Sequence, residues 1–142
     1  MTQINAYLVF NGNCREAMNF YQSCLGGELL LQTVKESPMA NQWPAKVQDN
    51  ILHARLTKDT IILLGSDMGP KDLVKGNAIS LSLTCSDRKE MEECFNHLSV
   101  GAQVTHPLHD FFAGTIGTLT DRYSMNWMFY CERSVVEERG RG

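Results

Sequence analysis

The chain has 142 residues, 43% of them hydrophobic and 20% charged, with a formal net charge of −3. This fits one domain or two intimately packed half-domains, needs no disulfide or metal staple, and excludes a disordered chain. The acidic balance, the lack of a long Lys/Arg cluster, and the absence of any apolar run near the roughly 20 residues of a membrane span or of a signal-peptide pattern lead us to expect a cytoplasmic protein with neither nucleic-acid nor membrane partners.

Residues 4–10 are apolar and rich in strand formers, and Asn11-Gly12-Asn13 breaks them. Asn13 can cap a following helix, with Glu16 three residues on. Ala17, Phe20, Tyr21, Cys24 and Leu25 recur at helical spacing and predict the buried stripe of that helix, which Gly26-Gly27 stops. Residues 28–34 read as a strand. Residues 35–49 carry Pro38, Pro44 and Trp43 and read as a long mobile loop. Residues 51–57 and 60–64 are strands on either side of Lys58-Asp59. A breaker-rich connector, residues 65–76, follows.

The pattern then repeats, because Leu8, Met18 and Leu25 recur as Leu81, Met91 and Leu98, each 73 residues on. Residues 78–84 alternate as a strand. Asp87 is a good N-cap, and Met91, Cys94, Phe95 and Leu98 give a second helical stripe, ended by Gly101. Residues 102–105, 115–120 and 126–131 supply the remaining strands. Pro107 places His106-Pro107-Leu108-His109-Asp110 in a loop, and His97 falls on the polar side of the second helix. The tail from Glu132 onward reads as frayed.

The order is therefore βαβββ twice, an α+β chain. One helix covers one face of each sheet, and pairing two such sheets yields a cupped mixed sheet whose concave side can hold a ligand. His53, Arg55 and Tyr7 lie on the mixed faces of their strands, as do Ser80, Ser82 and Met128. Such a face suits either a cavity or plain solvent. Alternatively, Tyr123, Met125, Met128, Phe129 and Tyr130 could fill the cup and leave a structural module. Phe111-Phe112 suits core packing or the lining of an entrance, and Trp43 suits a lid, a dimer contact or packing on its own domain.

The five cysteines are odd in number and form no C-x-x-C pair, so buried thiols are expected rather than a disulfide framework or a zinc ribbon. Cys14, near a helix start, is the one position where a lowered thiol pKa is weighed.

Three stretches carry a resemblance to a known family: residues 7–18 (YLVFNGNCREAM) with Phe20-Tyr21 and Leu25-Gly26-Gly27, then His53-Ala54-Arg55-Leu56, then residues 111–117 (FFAGTIG) with Leu119-Thr120-Asp121 and Trp127-Met128. Over residues 3–131 the chain resembles the PhnB-like branch of the vicinal oxygen chelate superfamily, which includes glyoxalase I, bleomycin-resistance proteins and ring-cleaving dioxygenases. Arg55 stands where the branch usually has Glu. The branch is often labelled demethylubiquinone methyltransferase-like, but no glycine-rich nucleotide loop accompanies that label here.

The resemblance implies a single glyoxalase/bleomycin-resistance-like domain over 1–142, built of module one (about 3–67) and module two (about 77–131), and a homodimer. In metal-dependent members four positions carry His or Glu, and these fall near Asn5, Arg55, Ala78 and Met128. None is a good divalent-metal ligand, so no metal and no cofactor is expected, and Arg55 favours an anion over a cation. The expected site is Tyr7, His53, Arg55, Ser80, Ser82, Phe112 and Met128, binding a small anionic molecule. The alternative is a metal-dependent lyase, isomerase or dioxygenase, with His53, His106 or His109 as ligands; whether the chain is an enzyme stays open.

Overall fold

The computed structural model describes residues 2–133. The chain divides into two units, residues 1–74 and 75–142. The first unit runs β1 (Ala6–Val9), α1 (Cys14–Leu25), β2 (Glu28–Thr33), β3 (Ile51–Lys58) and β4 (Ile61–Ser66). The second runs β5 (Leu81–Cys85), α2 (Arg88–Leu98), β6 (Gln103–Phe111), β7 (Gly114–Thr120) and β8 (Asn126–Glu132). The fold is thus α+β, with two four-stranded mixed sheets ordered β1-β4-β3-β2 and β5-β8-β7-β6. The outer pairs β1–β4 and β5–β8 are parallel, and the other pairs antiparallel. The repeat seen in sequence is therefore a repeat of topology.

Strand alternation gives each sheet one apolar face for its helix. In the first unit Leu8, Ala54, Leu56 and Leu63 are buried there, opposite Cys14, Ala17, Met18, Tyr21 and Leu25 of α1. Full burial of one such large side chain stabilises by about 1.5–3 kcal/mol. The helix stripe is rotated by about one position from the sequence expectation: Met18 is fully buried, whereas Phe20 and Cys24 are half-buried. Gly65 explains the close seating of α1, because a Cβ there would lie 3.3 Å from both Cys14 Sγ and Met18 Sδ. In the second unit Met91, Phe95 and Leu98 of α2 cover Trp127 and Phe129, with the Phe95 and Phe129 rings edge-on at 5.1 Å.

Several local expectations need correction. Asn13 occupies the N-cap position of α1, but its side chain makes no capping bond. Asp87 does cap α2, accepting the Glu90 N–H at 2.8 Å. Residues 35–49 contain two 3₁₀ turns, Ala40–Gln42 and Ala45–Val47, tied by Gln48 Nε2 to the Ala40 and Trp43 carbonyls at 2.9 Å each. Trp43 itself is 38% exposed.

Residues 106–110 are not a loop. They belong to β6, an edge strand, where proline's missing donor costs little. The register shifts on both sides of His106, and Gly117 of β7 makes room for the irregularity. A Cβ on Gly117 would lie 3.2 Å from the Leu108 backbone. Of the tail expected to fray, residues 134–142 lie outside the described residues. Among the described residues, no helix is long and apolar enough to cross a membrane.

Candidate functional site

Each sheet has a second face without a helix. On the first sheet, strand pairing sets Tyr7 beside Leu64, Leu64 beside Arg55, and Arg55 beside Leu30. At a strand spacing of about 4.8 Å this row spans about 14 Å. His53 lies two residues from Arg55 on the same face, and its ring sits 6.3 Å from that of Tyr7, tilted by 40°. Tyr7 is 51% and Leu30 63% exposed.

Arg55 is exposed and, among the described residues, has no ion-pair or hydrogen-bond partner. Glu28, paired with Thr57, is its diagonal neighbour on this face. An unengaged guanidinium offers a planar fork of donors that matches a carboxylate or phosphate. Its two flanking leucines present apolar surface for the body of the same molecule.

On the second sheet Ser82 pairs with Met128, Met128 with Thr118, and Thr118 with His106. Ser82 is exposed and Met128 half-buried. Ser80 is exposed and lies just before β5. Phe112 is 88% exposed at the turn between β6 and β7, edge-on to Phe111 at 5.3 Å. Of the residues weighed as cup filling, Tyr123 and Phe129 belong to the core instead, whereas Met125, Met128 and Tyr130 are half-buried.

The seven expected residues thus fall in two groups. Tyr7, His53 and Arg55 share the open face of the first sheet, and Ser82 and Met128 that of the second, with Ser80 and Phe112 outside the strands. Leu30 and Leu64, which frame Arg55, were not among the sequence candidates. Their alternation was visible, but which strand lies beside which depends on sheet order.

The donor set does not fit the divalent metal of metal-dependent vicinal oxygen chelate proteins. Asn5 accepts a hydrogen bond from Gln3 at 2.8 Å, Arg55 is a cation, Ala78 has no donor atom, and Met128 offers a thioether. Among the described residues, no three His, Cys, Asp or Glu side chains form a group that could hold a metal ion. His106 and His109 are exposed on β6, and the His109 ring contacts the Pro107 carbonyl oxygen through Nδ1 at 2.8 Å. His97 is exposed on α2.

Cys14 is not a reactive thiol. It is fully buried, and burial, helped by the negative charge of Asp67, pushes its pKa up to about 12.

Residues 2–130 match the family model described as 3-demethylubiquinone-9 3-methyltransferase. The chain is similar to protein PA1353 from Pseudomonas aeruginosa, at 39% identity and a TM-score of 0.82, covering 94% of this chain and 100% of that one. It is also similar to a putative 3-demethylubiquinone-9 3-methyltransferase, the PhnB protein from Bacillus cereus, at 24% identity and a TM-score of 0.74, covering 92% of this chain and 99% of that one. A glyoxylase/bleomycin resistance protein/dioxygenase domain from Frankia sp. EAN1pec shares the fold at 15% identity and a TM-score of 0.63, over 95% of both chains. With the family model spanning residues 2–130 and the sheets ordered as they are, the chain belongs to the PhnB-like 3-demethylubiquinone-9 3-methyltransferase family, on the glyoxalase/bleomycin-resistance fold.

Proposed function

We propose that the protein binds a small anionic molecule on the open face of its first sheet, without a metal, and that Arg55 is the anchoring cation. The observation that carries this reading is the Arg55 guanidinium, without a partner among the described residues and set between Leu64 and Leu30, with Tyr7 and His53 on the same face. A carboxylate, phosphate or phosphonate head group would take paired hydrogen bonds from Arg55, while an acyl or aryl body lies on the leucines and the Tyr7 ring. On the second unit taken by itself, Ser82, Met128, Ser80 and Phe112 are proposed as ligand contacts in their own right.

The test is calorimetric titration with a panel of aryl and acyl carboxylates, phosphates and phosphonates, in buffer containing a chelator. Saturable binding by anionic members, lost in their neutral amide or ester analogues, supports the reading. Binding that is indifferent to ligand charge, or that needs an added divalent ion, overturns it.

A further inference from the structure

Glu28 is the oppositely charged counterpart of Arg55 on the open face of the first sheet. Strand pairing sets Leu30 opposite Arg55 and Glu28 opposite Thr57, so Glu28 stands two residues along β2 from Leu30 and diagonal to Arg55. Arg55, Leu30 and Glu28 are all exposed. Diagonal neighbours in an antiparallel pair lie about 7–8 Å apart, within reach of long side chains. The two charges nevertheless form no ion pair with each other, and among the described residues neither has an ion-pair or hydrogen-bond partner. Lys58, which follows Thr57, sends its ammonium to the Leu25 carbonyl at 3.0 Å instead. The face therefore holds a cation, an anion and an apolar side chain at the corners of a triangle.

We propose that the ligand of this face is a zwitterion, an α-amino acid with an apolar side chain. The proposal rests on the anion-binding reading above and narrows it to one chemical class. The ligand carboxylate takes the Arg55 fork, its ammonium donates to the Glu28 carboxylate, and its side chain lies on Leu30. Three substituents of one α-carbon thus meet three groups on two adjacent strands.

The placement of the other polar groups sets the orientation. His53, a donor, lies two residues before Arg55 on β3, whereas Thr57, the partner of Glu28, lies two residues after it. The ammonium is therefore directed to the Glu28 side of Arg55. A simple carboxylate satisfies Arg55 but leaves Glu28 unanswered. A second negative charge on the ligand would meet repulsion from Glu28, which acts within a Debye length of about 8 Å at physiological salt.

The test is calorimetric titration of the full chain, in chelated buffer at neutral pH, with L-phenylalanine, L-leucine and L-tryptophan. Each is compared with its N-acetyl derivative and its deaminated carboxylate, in wild type and in Glu28→Gln. In wild type at least one amino acid should bind about threefold or more tightly than both of its analogues, as the energies of exposed ion pairs imply. Glu28→Gln should abolish that preference: the amino acid weakens, while the deaminated carboxylate binds as well as before or better. Four results would each overturn the proposal: analogues that bind wild type as tightly as the amino acids, a preference that survives in Glu28→Gln, a uniform loss of all three compounds in that variant, or no saturable binding by any amino acid. The anion-binding reading falls separately, only when the carboxylates and the other anions also fail to bind.

Discussion

Asp67 accepts the backbone N–H of Cys14 at 2.9 Å across 53 residues of sequence, and so supplies the cap that Asn13 does not. The same oxygen accepts the Gly12 N–H at 2.8 Å, and the other carboxylate oxygen accepts the Ile51 N–H at 2.8 Å. One carboxylate, 8% exposed, thus joins the end of the first sheet to the first turn of α1 and the start of β3. Asp67→Ala would leave three donors without this acceptor, two of them in buried pairs. It should cost about 3 kcal/mol in urea unfolding, given the range for hydrogen bonds to charged groups. Asp67→Asn should cost less, because one oxygen remains. A loss under about 1 kcal/mol for Asp67→Ala would show that these bonds are replaced by solvent.

A second buried carboxylate organises the other unit. Asp121 accepts the Tyr123 and Met125 N–H groups at 2.8 and 3.0 Å and the Trp127 Nε1–H at 2.8 Å. Asp121 and Trp127 are 4% and 2% exposed, so the indole bond is shielded from water. Trp127→Phe and Asp121→Ala should therefore couple in a double-mutant cycle by about 1 kcal/mol or more. Additive losses would mean that each residue acts through packing alone.

Cys14 imposes a pH dependence. Its folded pKa of about 12 lies above the 9.0 of the free thiol, so the folded chain keeps a proton that the unfolded chain releases. The contribution is fully present below pH 9 and is lost as pH rises through the window from 9 to about 12. Within the window this group alone gives a slope of at most about 1.4 kcal/mol per pH unit. Cys14→Ala should flatten the alkaline fall in stability relative to wild type, whatever its effect at neutral pH. An unchanged slope in chemical denaturation from pH 8.5 to 10.5 would remove the assignment.

The order βαβββ was legible twice over because alternation and helical spacing are local signals, as with Leu81-Ser82-Leu83 and Met91-Cys94-Phe95. What stayed hidden depends on contacts between distant residues. Asp67 reads as one residue in a turn-rich connector, yet its partners come from α1 and β3. Pro107 suggests a loop locally, but an edge position with shifted register accommodates it in β6. Arg55 could be placed on a mixed face from alternation. That Leu64 and Leu30 flank it follows only from β3 lying between β4 and β2. The pairing of Cys85 with Cys131 likewise needs β5 beside β8.

The most direct test of the anion-binding reading is the dissociation constant of the best anionic ligand, measured by calorimetry in chelated buffer for wild type, Arg55→Lys and Arg55→Ala. Arg55→Ala should bind more weakly by about 1.5–3 kcal/mol, roughly ten- to over a hundredfold, with Arg55→Lys in between because it keeps the charge but not the fork. Wild-type affinity in Arg55→Ala would contradict the account and place the ligand elsewhere on the protein.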